Sequence, residues 1–140
     1  MMFKMVNKRN NVLLNSKISV LISINRKNEA DESYSREYFT LPLEVDSVRY
    51  FPLTWTIVHV INEDSPLKNL SVNDLRKIDA EILILFEAFD ETFTQNIIHK
   101  HSYASDQWLE GFRFRKNFHA DDSGTIVLNI HNLNDLEEIK

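Results

Sequence analysis

Alternation of apolar and polar residues constrains this chain more than any other feature. In "KISVLISINR", Ile18, Val20, Ile22 and Ile24 fall on one face, with Ser19, Leu21, Ser23 and Asn25 opposite. Successive side chains of an extended chain point to opposite sides, so a period of two buries one face only in a β-strand. The pattern recurs. "REYFTLPLEV" puts Phe39, Leu41, Leu43 and Val45 together, and "LTWTIVHVI" puts Trp55, Ile57, His59 and Ile61 together. "MFKMVNKR" already reads as a strand at the start, with Phe3, Met5 and Asn7 on one side. "ILILFEAF" is apolar on both faces apart from Glu87, the composition of a central strand. "QNIIHKHSY", "GFRFRKNF" and "TIVLNI" add β-branched and aromatic runs. Helical signal is confined to "SVNDLRKIDA", where Ser71 is a natural N-cap with Asp74 three residues on, and to a turn at "ASDQWLEG". Many short strands and scarce helix in 140 residues predict one antiparallel β-sandwich domain.

The residue inventory removes several chemistries. Without cysteine there are no disulfides, zinc–thiolate sites or thiol nucleophiles. Two isolated glycines cannot form a phosphate-cradling loop, and no serine sits in a nucleophile elbow, so no enzyme and no cofactor is expected. Apolar runs such as Ile82 to Phe86 fall far short of the roughly 20 residues needed to cross a bilayer. His99 and His101 in "HKH" share a strand face and have metal-chelating spacing, with His119 or Asp121 as a third ligand. The plainer reading is a half-exposed pair on an edge strand, and no metal site is expected. "FRFRK" interleaves aromatic and basic residues as nucleic-acid platforms do. In so acidic a chain the expected arrangement is instead Phe112, Phe114 and Phe118 toward the core with Arg113, Arg115 and Lys116 outward, and no nucleic-acid partner.

Charge is distributed unevenly. The net charge is −5, yet residues 1 to 28 hold six basic side chains and no acid. A positive end suits an anionic lipid surface, and a negative body attracts cations. Glu87 is the odd residue in its run, because a lone buried carboxylate is expensive. Either the strand emerges there, with Asp90 and Glu91 as further acids of the turn, or the acid lines a wet passage, or it is paired with a base. Composition leaves all three open.

The order of segments resembles the C-terminal cytoplasmic domain of inward-rectifier potassium channels, particularly the prokaryotic branch. The residues that carry the resemblance are "FKMVNKRNN" (3–11), "FPLTWTIVHVINEDSPL" (51–67), "EILILFEAFDETFTQ" (81–95), "HKHSY" (99–103) and "GTIVLNIHNLND" (124–135). It implies an immunoglobulin-like β-sandwich that assembles as a homotetramer of identical subunits below a membrane pore, conducting potassium ions. It also brings the expectation of a voltage-gated channel at the cytoplasmic face of the cell membrane. By this resemblance Glu87 and Glu91 are pore-lining acids, and Phe93, Thr94 and Gln95 belong to a constriction at the membrane end. Asn7, Lys8 and Arg9 would lie near the membrane face, where basic side chains meet lipid headgroups. The transmembrane helices and selectivity filter are absent from residues 1–140, and by the resemblance the family's first cytoplasmic strand is expected to be missing before Met2. Asn15 stands where some eukaryotic members carry a polyamine-attracting acid, and Asn10 replaces a second basic residue. The rival expectation is a free-standing soluble β-sandwich that serves as an interaction domain without a pore.

Overall fold

The computed structural model describes residues 1–140 as eleven strands and one α-helix. The strands are β1 (Met2–Val6), β2 (Leu13–Lys27), β3 (Tyr34–Thr40), β4 (Ser47–Tyr50), β5 (Thr54–Val58), β6 (Glu81–Asp90), β7 (Gln95–Ala104), β8 (Phe112–Phe114), β9 (Phe118–Ala120), β10 (Ile126–Leu128) and β11 (Leu136–Glu138), with helix α1 (Val72–Lys77) between β5 and β6. The expected all-β sandwich is what the chain forms. Its main layer is the antiparallel sheet β3-β2-β6-β7, with β4 joined to the first half of β2. Its second layer is the β1-β5 pair.

Period-two burial explains why these layers face each other. Ile18, Val20 and Ile22 of β2 and Ile82, Ile84, Phe86 and Ala88 of β6 are buried on the inner face. Phe3, Trp55 and Ile57 of the second layer join them in one hydrophobic cluster with Leu41, Leu67 and Leu75. Phe51 ties the layers edge-to-face, its ring 6.1 Å from Trp55 and 5.8 Å from Phe86. His59 is structural, as its face predicts. Its Nδ1 lies 2.6 Å from the Pro42 carbonyl and its Nε2 2.7 Å from Ser65 Oγ, which fastens the "NEDSPL" turn to the core.

A β-bulge interrupts β2, where register shifts between Leu14 and Lys17 and Asn15 adopts a left-handed φ of 48°. Asparagine tolerates that conformation better than most residues. Beyond the bulge, Lys17 points outward and Ile18 inward.

Several expectations change. β6 is not buried on both sides: Leu83, Leu85 and Phe89 are only half-buried and Glu87 is exposed, because no second sheet covers the outer face. Ile61 and Val45 leave the core because the strands carrying their periodicity end before them. Asn7 likewise lies past the end of β1. Phe112 and Phe118 are exposed, since "GFRFRKNF" splits into two short strands paired separately with β11 and β10 rather than lying over the main sheet. Lys4 and Lys116 instead lie over the rings of Phe114 and Phe118, at 4.7 and 4.8 Å.

Truncating the core side chain in Ile82→Ala is expected to cost about 2–5 kcal/mol, whereas Ile98→Ala on the open outer face changes stability by no more than about 0.5 kcal/mol. Urea unfolding of the two variants checks this. Helix α1 carries the predicted cap, with Ser71 and Asp74 forming a reciprocal capping box. Hydrogen bonds from the Ser71 hydroxyl and backbone hold the Asp74 carboxyl below its ordinary value of 3.8. A depressed carboxylate stabilises the fold fully above that value and loses its contribution as pH falls through the lower folded value. Stability measured from pH 5 downward should therefore fall less steeply in Asp74→Asn than in the parent.

Candidate functional site

Two separately predicted groups of residues meet at one end of the main sheet. The first is the β6–β7 turn, Glu91 to Thr94, closed where Asp90 pairs with Gln95. Glu91, Thr92, Phe93, Thr94 and Gln95 are all exposed, and the Phe93 side chain stands 62% open to solvent. Thr94 takes a left-handed φ of 52°, which turns the chain sharply back into β7. The second is the segment between β1 and β2, with Lys8 and Arg9 exposed and Asn7 half-buried.

Asp90 joins them. Its side chain is buried to 1% exposure at the root of the turn. One carboxylate oxygen accepts from the backbone N–H of Thr92 at 3.0 Å and of Phe93 at 3.3 Å, and the other from Asn11 Nδ2 at 2.7 Å. Asn7 Nδ2 donates to the carbonyl and side-chain oxygens of Asn11 at 3.0 and 2.9 Å, and Asn7 Oδ1 accepts from the Arg9 backbone at 3.1 Å. The Glu91 N–H reaches the Val12 carbonyl at 3.1 Å, prolonging the β2–β6 ladder. Buried carboxylates need such compensation, and hydrogen bonds to a charged group are among the stronger ones. Asp90 is thus no exposed acid of the turn, as its place in the sequence suggested. Its parity with Ile82, Ile84, Phe86 and Ala88 was the available signal, because every second residue of β6 faces inward.

Glu87 lies one turn of the pleat away on the outer face. Its register partners are Lys17 on β2 and Ile98 on β7, and Lys100 stands opposite the neighbouring Leu85. This face also carries exposed Ile98 (65%) and Leu21, with Leu83, Leu85 and Phe89 half-open. The strand therefore emerges on the Glu87 side, which answers the question of how the acid is tolerated.

His99 and His101 share a face with nearly parallel rings 6.4 Å apart, and His101 packs edge-on against Tyr103 at 4.5 Å. No group of three His, Cys, Asp or Glu side chains gathers in a metal-holding arrangement, and His119 sits in the separate β9-β10 pair. No helix is long and apolar enough to cross a membrane.

Residues 1–140 match the family described as the inward rectifier potassium channel C-terminal domain. The chain belongs to that family. It is 28% identical over 103 residues to the inward rectifier potassium channel Kirbac3.1 of Paramagnetospirillum magnetotacticum, covering 74% of this chain and 35% of that protein. It is also 41% identical over 59 residues to the ATP-sensitive inward rectifier potassium channel 12 of Gallus gallus, covering 42% of this chain and 14% of that protein. The chain thus spans about a third or less of these relatives' lengths. The family is one of ion-channel domains rather than enzymes, and neither comparison supports voltage gating.

Replacing the lock in Asp90→Ala leaves the Asn11 amide and two turn N–H groups without their acceptor, for an expected loss of about 1–3 kcal/mol. Amide hydrogen exchange at Thr92 and Phe93 should quicken in the same variant more than exchange in the centre of β6.

Proposed function

We propose that residues 1–140 form one cytoplasmic ion-conduction and gating module of an inward-rectifier-type potassium channel, four copies of which surround an axis that extends the pore. The observation that carries this reading is the Asp90 lock, which fixes the exposed turn 91–94 beside the segment 7–11 at one end of the sheet. In this assembly Phe93, Thr94 and Gln95 narrow the passage and Glu91 faces it. Glu87 lies further along the same passage. Asn7, Lys8 and Arg9 lie toward the membrane, where the two basic side chains meet anionic lipid headgroups.

The open outer face supports assembly with identical subunits. Leu21 and its register partner Leu83, four residues along β6 from Glu87, leave an apolar patch on a sheet side that nothing in the chain covers. Four chains would carry −20, four times the −5 of one, and charge of that sign concentrates potassium ions in a narrow passage. The acid-free N-terminal stretch, six basic side chains up to residue 28, fits the negative inner leaflet.

Glu91→Lys in the full channel is expected to weaken inward rectification, lowering the affinity of block by internal divalent cations by about tenfold. Unchanged current–voltage curves would remove Glu91 from the conduction path. A free-standing soluble interaction domain is the other outcome, and a reading frame upstream of Met1 that lacks two apolar stretches of about 20 residues around a glycine-rich filter favours it.

A further inference from the structure

Glu87 does not present its charge alone. Lys17 is its register partner across the β2–β6 ladder, and Lys100 lies diagonally across the β6–β7 ladder, two residues from Ile98. Residues paired in register share a sheet face, and all three charged side chains are exposed on the outer one. None of the chain's ion pairs includes Glu87, Lys17 or Lys100, so the charges stay free rather than being folded into a closed contact.

Directly opposed residues on neighbouring strands hold their Cβ atoms about 5 Å apart, and diagonal ones about 7–8 Å. Side chains rooted at these Cβ spacings carry their charged ends on flexible stems over one face, on the scale of the Debye length of about 8 Å at physiological salt. An ion approaching this face therefore meets a carboxylate and an ammonium together. Their combined potential is that of a dipole, which falls off faster with distance than that of a single charge. With Lys100 added, the patch around Glu87 is net positive. The β2 bulge produces this arrangement: the register shift between Leu14 and Lys17 brings Lys17 level with Glu87.

We propose that Lys17 sets the cation affinity of the passage at the level of Glu87 by cancelling that carboxylate's field. The inference rests on the pore reading for its consequence in conduction, but the charge pair itself is a property of the isolated chain. Multivalent cations are drawn weakly to Glu87, and the strong attraction is left to Glu91 in the turn.

Two measurements test it. The first uses the 140-residue chain and Mn²⁺ alone, reading paramagnetic broadening of the backbone amides of Phe86, Glu87 and Ala88 by NMR. Lys17→Gln, at an exposed position, should increase the apparent Mn²⁺ affinity there by about 3- to 10-fold. The gain should vanish in Lys17→Gln/Glu87→Gln. An unchanged response in Lys17→Gln, or a gain that survives loss of Glu87, overturns the proposal. The second measures block by internal Mg²⁺ in the full channel, where Lys17→Gln should strengthen block and Glu87→Gln should abolish that increase. Stronger Mn²⁺ binding in the isolated chain together with unaltered block in the channel overturns the role in conduction and counts against Glu87 lining the pore, while unaltered Mn²⁺ binding overturns the charge pair itself.

Discussion

The antiparallel pairing of β2 with β6 supports most of the molecule. β2 also binds β3 and β4, and β6 also binds β7, so every strand of the main sheet hangs on this ladder. Its inner side supplies the greater part of the hydrophobic cluster, and its outer side carries Glu87, Lys17 and the open apolar patch. At its end, the Leu13–Asp90 pair sets the root of the β6–β7 turn. Registry in this ladder is therefore both a packing constraint and a charge map. A slip of one residue would exchange the two faces, exposing Ile82, Ile84 and Phe86 and burying Glu87.

Asp90 shows how a buried polar group orders an exposed one. Its carboxylate takes two backbone N–H groups of the turn and one side-chain amide from a segment 79 residues earlier. Each donor left unpaired in a buried site costs more than the bond returns when made, so the arrangement tolerates little rearrangement. The turn can thus be solvent-exposed and yet have a fixed root. Phe93, which heads into solvent, is held by its own N–H to the same carboxylate.

Legibility in the sequence followed the range of the interaction. The inner faces of β2 and β5 and the Ser71–Asp74 capping box were readable, because each depends on spacing of a few residues, whereas β6 was misread as a strand covered on both sides. Phe112 and Phe118 were misread because alternation gives a face without saying whether another layer covers it. Asp90 was misread because its nearness to Glu91 in the chain outweighed its parity with the buried residues of β6. The resemblance located the turn and the basic segment, yet nothing in either stretch showed that Asn11 and Asp90 would bond.

By itself the sequence determined that this chain is an all-β domain, which faces of its strands are apolar, and that it lacks the residues for thiol, phosphate-loop or elbow-serine chemistry. Only the tertiary structure decided which strands pair and in what register, and so which charges become neighbours. Lys17 and Glu87 stand 70 positions apart, and no local period encodes their alignment. It is decided when two apolar faces are buried together and a bulge absorbs the mismatch, because that burial is a property of both strands at once.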